Sequence, residues 1–299
     1  MKKEEGEMGI WGWWSTKLVW NETKWSFLDR LTRKEIAYTN TTDDYPIGLH
    51  KWYFVDGECQ DSEEDWREML LHSCETGKFV CRNGKCVDFK RRCDRSYDCS
   101  DFSDEKNCSF ILPEVYDKSQ SPQPSVSENG LVKLADINIG IKILDIIGIN
   151  EEESKLELKF NLEATWSDDR LAFISLNEDE RKNIIDNFTY IWIPQIGFID
   201  VVNPIQFHLG ETDEIITTSK TKNGNFTVSD DVDQNLIYHG KNFRITKKAT
   251  FVGSFLCSFY DIYKYPFDTE TCSIKMVMSG KNYYSTKLVA SNLQYNGEH

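Results

Sequence analysis

Six cysteines, at positions 74, 81, 86, 93, 99 and 108, fall within 35 residues of a 299-residue chain, and no other feature limits its folding so sharply. So short a stretch cannot bury enough apolar surface to hold itself together. Its cysteines therefore read as a disulfide framework and place the chain in an oxidising, extracellular compartment. Zinc is the competing reading, but it usually needs CxxC pairs or histidines, and none of the five histidines lies between Cys74 and Cys108. Cys257 and Cys272 bracket a short segment downstream, and Cys59 is left over. Sequons at Asn21, Asn40, Asn107, Asn187 and Asn225 agree with secretion and glycosylation. The charged opening, Met1-Lys-Lys-Glu-Glu, has no apolar signal segment. With the odd Cys59, it leads us to expect further chain upstream.

Charge and motif content exclude several classes. There are 35 basic and 49 acidic side chains, a net charge of −14, which argues against a nucleic-acid partner. No apolar run approaches the ~18–20 residues that a membrane span needs. Gly-x-Ser-x-Gly, His-Glu-x-x-His and a Gly-rich phosphate loop are all missing, so the chain is not expected to be an enzyme.

Four regions separate along the sequence. Residues 1–73 hold seven of the nine tryptophans among Thr, Tyr and Phe, the composition of short β-strands joined by turns. Residues 74–108 are the cysteine cluster, and 109–130, with Ser119-Gln-Ser-Pro-Gln-Pro-Ser, read as a linker. Over 131–299 the pattern alternates: Ile137, Ile139, Ile141 and Ile143 on one face, then Leu156, Leu158, Phe160, Leu162, Ala164 and Trp166 after a charged turn at Glu151-Glu152-Glu153. Period two on both sides of a turn is an amphipathic hairpin. A short helical turn is expected within 176–187 and short strands elsewhere. The expected fold is mainly β, with a C-terminal immunoglobulin-like sandwich.

In the second half of the cysteine cluster Asp94, Asp98, Asp104 and Glu105 crowd around three cysteines. Carboxylates held that close repel unless a hard cation joins them, and oxygen donors of this kind suit Ca²⁺; a solvated acidic loop is the alternative. The full spacing, Cys74-x4-Phe79-x-Cys81-x2-Gly84-x-Cys86-Val87-x5-Cys93-Asp94-x3-Asp98-Cys99-x-Asp101-x-Ser103-Asp104-Glu105-x2-Cys108, resembles the low-density-lipoprotein receptor class A repeat. The resemblance implies pairings Cys74–Cys86, Cys81–Cys99 and Cys93–Cys108. It also implies Ca²⁺ ligation by the side chains of Asp94, Asp98, Asp104 and Glu105 and the carbonyls of Arg91 and Ser96, with Asp101 in a structural role.

A bridge between Cys257 and Cys272 would close a loop worth roughly 3 kcal/mol, mainly by restricting the unfolded chain. That loop contains Tyr265-Pro266-Phe267-Asp268. Trp166-Ser-Asp168-Asp-Arg170-Leu171-Ala-Phe173, Trp192-Ile-Pro194 and Gly253-Ser-Phe255-Leu-Cys257 occur in the same order as in Cys-loop receptors, the pentameric ligand-gated ion channels. Residues 131–299 thus resemble that family's ligand-binding domain. Two departures stand out: fourteen residues lie between the cysteines in place of thirteen, and Gln195 replaces the Asp that follows Trp-x-Pro.

The resemblance implies a subunit that assembles with homologous subunits into a pentamer at the extracellular face of the plasma membrane. Membrane helices would follow a sandwich cut short at residue 299. A small-molecule agonist, unidentified, would bind between subunits; the pocket positions counted from the motifs are Asn161, Ile199 and Ser279, with Phe198 adjacent. None of the three is aromatic, which disfavours an acetylcholine-like ligand. Trp166 and Trp192 read as core residues. Glu151–Glu153 and Tyr265–Asp268 would couple the pocket to the pore, and Arg170-Leu171-Ala-Phe173 leans towards the anion-conducting branch. Residues 1–73 look like the end of a lectin-like module. A secreted or endocytic calcium-dependent binding protein without a channel is the alternative.

Overall fold

The computed structural model describes residues 9–11, 16–55, 66–75, 77–123, 125–126, 132–185, 188–202, 215–229, 234–257, 272–278 and 284–295. They fall into two compact units, residues 1–107 with Val228–Asn235, and residues 108–227 with 236–299.

The first unit opens with a six-stranded antiparallel meander: β1 (Gly9–Trp11), β2 (Thr16–Asn21), β3 (Lys24–Asp29), β4 (Glu35–Thr39), β5 (Gly48–Phe54) and β6 (Trp66–Leu71), paired in that order. Its turns are chemically specified. Glu22 takes a positive φ between β2 and β3, and Asp29 Oδ1 accepts from the N–H groups of Leu31 and Thr32 at 2.8 and 2.7 Å. One face buries Trp25 and Trp52 with Leu18 and Ala37, and Trp20, Phe27, Phe54, Met69 and Leu71 pack around them. Trp25 keeps its indole N–H satisfied by donating to the Asp43 carbonyl at 3.2 Å. The hairpin β7 (Lys78–Val80) and β8 (Cys86–Asp88) follows.

The second unit is the sandwich. Its strands are β9 (Phe110–Ile111), β10 (Ser125–Val126), β11 (Val132–Lys133), β12 (Ala135–Asn150), β13 (Lys155–Trp166), β14 (Ala172–Ile174), β15 (Ile196–Ile199), β16 (Ile215–Lys220), β17 (Thr227–Val228, whose second residue is counted with the first unit), β18 (Leu236–His239), β19 (Phe243–Leu256), β20 (Lys275–Met278) and β21 (Thr286–Tyr295). One sheet runs β16-β19-β13-β12-β21, a second β17-β18-β14-β9, and β15 pairs with β20. The short helical turn expected within 176–187 is a single 3₁₀ turn, Glu180–Lys182.

β12 and β13 form the long hairpin that the alternation predicts, in register from Asn138 opposite Thr165 to Asn150 opposite Lys155. Ile137, Ile139 and Ile141 are buried, as are Leu158, Phe160, Leu162, Ala164 and Trp166. Irregularities between Ile143 and Asp145, and between Ile146 and Gly148, then break the period. Beyond them Ile146, Ile147 and Ile149 are 44%, 48% and 58% exposed, so the apolar run near the hairpin tip faces solvent. Phe160 stacks on Phe251 at 5.7 Å, and Trp166 meets Trp192 edge to face at 6.1 Å, both tryptophans buried in the core.

Composition misplaces the segment after the cysteine cluster. Residues 109–121 are built into the sandwich, not strung outside it. Phe110 is buried edge-on against Phe173 at 5.0 Å, and β9 pairs with β14. Pro and Ser report a lack of periodicity, which an edge strand of two residues would not reveal either.

The same segment delivers Tyr116 to the one carboxylate that is wholly buried in this unit's described core. Asp168, at 0% exposure, receives Arg170 Nε and Nη2 at 2.8 and 2.7 Å and the Tyr116 hydroxyl at 3.2 Å. Tyr116 Oη in turn accepts from the Trp192 N–H at 2.9 Å, and the Arg170 guanidinium lies 4.6 Å from the Tyr116 ring centre. Burial, together with the Asp168 charge and against the Trp192 N–H, pushes the Tyr116 phenol up to about 12. Two predictions follow from this network. Asp168→Ala should cost about 3–5 kcal/mol in urea denaturation, because it strands a half-buried guanidinium. The folded chain holds the Tyr116 proton more tightly than the unfolded chain. Stability should therefore be complete below pH 10 and fall as the pH climbs towards 12, and Tyr116→Phe should remove that part of the alkaline loss.

Candidate functional site

The cysteine cluster is covalently closed. Cys74 is bonded to Cys86 and Cys81 to Cys99, and Cys93 and Cys108 are also disulfide-bonded. The apolar centre of this module is small, Phe79, Cys81, Val87 and Cys99, so cross-links supply what burial does not. The acidic half turns tightly: Cys93, Arg95, Phe102 and Asn107 all have positive φ, and Ser103–Glu105 form a 3₁₀ turn.

These turns bring three carboxylates, those of Asp94, Asp104 and Glu105, onto the backbone N–H groups of residues 94–99. Buried Asp104 accepts at Oδ2 from the N–H groups of Asp98 and Cys99, at 2.6 and 3.2 Å. Glu105 Oε1 accepts from the Asp94 N–H at 2.7 Å, and Asp94 Oδ1 from the Ser96 N–H at 3.0 Å. Asp98 is ion-paired with Arg91. Burial, reinforced by the charges of Asp94 and Asp104 against two backbone N–H groups, raises the Glu105 carboxyl above its ordinary range. Asp101 faces elsewhere, accepting from the Asn83 N–H at 2.6 Å and the Ser103 hydroxyl at 2.6 Å. Burial opposes its ionisation, but these donors outweigh it and lower its pKa.

The chemistry of the donor set, four carboxylates with no thiolate among them, fits a hard divalent cation. Like charges repel, so the carboxylate oxygens here are spread over separate N–H and guanidinium donors, and a cation would have to draw them together. Among the described residues the one tight cluster of potential ligand atoms, within 4.8 Å, is Cys81, Cys99 and Asp101. Its sulfurs are spent in the Cys81–Cys99 disulfide, so it is no thiolate site.

Sequence gave no hint of Arg92. Its guanidinium is buried in this module, donating to the Asp104 carbonyl, to the Lys106 carbonyl at 2.6 Å and to Asn235 Oδ1 at 2.9 Å, with Phe79 5.1 Å below. An arginine within the run Lys90-Arg91-Arg92 carries no signature of its own, and its Asn235 partner is 143 positions away.

In the sandwich the Cys257–Cys272 bridge is formed. The Cys257 N–H donates to the Ser154 carbonyl at 2.9 Å, which brings the exposed Glu151–Glu153 turn beside the bridge. Tyr265, Pro266, Phe267 and Asp268 lie outside the described residues, as do Ser279, Asn187 and Cys59. The remaining pocket positions do not converge. Asn161 Oδ1 accepts from Thr250 Oγ1 at 2.8 Å, Ile199 is exposed, and the Phe198 ring packs inward against Phe160 and Phe255, 5.7 and 5.9 Å away. A cavity of about 450 Å³ lies beside the Leu162, Ala164 and Phe251 side chains, and none of those three pocket residues lines it. Asn21, Asn40, Asn107 and Asn225 are exposed, as a glycan would require.

The chain thus joins a closed disulfide module to a sandwich whose short bridge lies beside its hairpin turn. Residues 72–108 match the low-density lipoprotein receptor domain class A, and residues 105–297 match the neurotransmitter-gated ion-channel ligand binding domain. The chain belongs to the neurotransmitter-gated ion-channel ligand-binding domain family. Curated relatives are matched over short stretches. The vitellogenin receptor of Solenopsis invicta is 41% identical over 68 residues, 22% of this chain and 4% of the relative. The human atrial natriuretic peptide-converting enzyme is 50% identical over 38 residues, 13% of this chain and 4% of the relative. Human CD320 antigen is 47% identical over 53 residues, 17% and 18% of the two chains. The chain thus spans less than a fifth of each. Among the described residues no helix is long and apolar enough to cross a membrane.

Proposed function

We propose that this chain is the extracellular ligand-binding region of an anion-conducting, ligand-gated channel subunit, with Ca²⁺ held in its class A repeat. The observation that carries the reading is the sandwich's match to the channel ligand-binding family over 105–297. Two features of the geometry support it. The Trp166-to-Phe173 motif anchors a buried Asp168–Arg170 pair, and the Cys257–Cys272 bridge abuts the Glu151–Ser154 turn. The family builds pentamers of homologous subunits, and the agonist, a small molecule, would bind between them. Asn161 and Ile199 offer no aromatic face there, so cation–π capture of a quaternary amine is disfavoured. No catalytic role is assigned to any residue.

In the repeat, Asp94, Asp98, Asp104 and Glu105 would hold Ca²⁺ with the Arg91 and Ser96 carbonyls. The ion supplies a positive charge that offsets their mutual repulsion and fixes the acidic half. EDTA should collapse the dispersed amide NMR spectrum of residues 74–108, and Asp104→Asn should weaken Ca²⁺ binding roughly tenfold or more by calorimetry. An amide spectrum indifferent to EDTA would count against the ion.

The channel reading is tested by expressing the longest open reading frame that contains this chain in oocytes and screening small-molecule agonists. Replacing external chloride by gluconate should shift the reversal potential of the evoked current. A current that follows sodium instead would overturn the anion assignment. Secretion of a soluble, calcium-binding product with no current would favour the binding-protein alternative.

A further inference from the structure

The turn at residues 81–84 of the class A repeat is gripped from two sides. From within the repeat, the Arg82 N–H donates to Ser103 Oγ at 3.1 Å and the Asn83 N–H to Asp101 Oδ2 at 2.6 Å, while Asn83 Nδ2 donates to Ser100 Oγ at 2.6 Å. All three acceptors lie between Asp98 and Asp104, two of the carboxylates assigned to the cation. From the other side the six-stranded sheet reaches the same turn: the Leu49 N–H, at the start of β5, donates to the Arg82 carbonyl at 2.6 Å.

This seam is shaped by two glycines. Gly48 has φ +103°, and a Cβ there would stand 2.7 Å from the Arg82 carbonyl oxygen. Gly84 has φ +82°, and its Cβ would stand 2.4 Å from Ile47 Cγ2 and 3.0 Å from the Gly48 nitrogen. Backbone meets backbone at distances that no other residue allows, in conformations that L side chains rarely adopt. Such a contact has little tolerance. The Leu49 bond forms only if the 82–84 turn is in place, and that turn depends on the stretch from Ser100 to Ser103.

We infer that the start of β5 is a built-in docking surface for the class A repeat, and that cation binding in the repeat controls the order of the tryptophan-rich sheet. Drawing Asp98 and Asp104 onto one ion fixes Ser100, Asp101 and Ser103 between them. Those three residues set the 82–84 turn, and the turn receives Leu49. Calcium-dependent folding therefore extends beyond the disulfide module into β5 and, through its ladder with β6, into the sheet.

The inference rests on the calcium reading, and the experiment separates the two. Calorimetry of the full chain with Ca²⁺ is paired with amide hydrogen exchange of β5, with and without EGTA. In the unaltered chain EGTA should speed exchange at Leu49 and the following β5 amides by at least tenfold. In Gly84→Ala the calorimetric signal should remain, and β5 exchange should become fast and independent of calcium. Should Gly84→Ala fail to fold, Gly48→Ala, which leaves every residue of the repeat intact, should give the same result. Ca²⁺ binding with β5 exchange unchanged by EGTA would overturn the seam and leave the calcium site standing. Absence of calorimetric Ca²⁺ binding would overturn both.

Discussion

The ligand-binding sandwich is organised around a carboxylate that water does not reach. Placing Asp168 at 0% exposure would cost several kcal/mol if its charge were uncompensated. Its environment compensates it from several directions: two guanidinium nitrogens from Arg170, the Arg170 backbone N–H at 3.1 Å and the Tyr116 hydroxyl. Arg170 is local, two positions from Asp168, whereas Tyr116 arrives from 52 positions upstream and brings its segment with it. Tyr116 carries the segment after Phe110, and its oxygen fixes the backbone at Trp192. Arg170 reaches the carbonyls of Asp117 and Gln120, at 3.3 and 2.9 Å, and the Leu171 N–H closes on the Asp168 carbonyl at 3.1 Å. One buried charge thus specifies where the end of β13, the start of β14 and the preceding segment meet.

The class A module solves the opposite problem. Its apolar centre is too small to specify a fold, and its acidic half would spread without cross-links. Disulfides set the frame, and backbone N–H groups hold Asp94, Asp104 and Glu105 in place. The same economy appears at the seam with β5, where two glycines let main chains approach and the Ile47 side chain packs against Gly84. In the sandwich, a buried charge is held by side-chain donors; in the repeat, the acidic side chains are held largely by backbone N–H groups within a disulfide frame.

How much of this was legible depended on range. The cysteine and acid spacing lies within one short stretch, so the module and its disulfide frame could be read from residue order. The hairpin was equally legible as far as Ile143, where two irregularities end the alternation; a period-two pattern cannot announce an extra residue, and Ile146, Ile147 and Ile149 turn outward as a result. Phe110 and Tyr116 were hidden by Pro/Ser-rich surroundings. Their roles depend on Phe173 and Asp168, more than fifty residues on, and no local pattern encodes such a partner. Phe198 illustrates the same limit within the candidate pocket. Counting from Trp192 placed it beside the ligand position, but the ring is drawn into the Phe160–Phe251–Phe255 cluster, because an aromatic side chain at a sheet face gains more from burial than from exposure.

The buried bond from Arg92 to Asn235 has a temporal side. Ribosomes add roughly 5–20 residues per second, so about 7 to 30 s pass between synthesis of the arginine and of the asparagine 143 positions later. During that interval the cysteines of the repeat can already pair, while one donor of Arg92 lacks its final acceptor. The module emerging first is consequently an unfinished one, with one donor of that guanidinium still turned to solvent. Completion of the first unit becomes a report that most of the sandwich has been made, a checkpoint written into the order of translation.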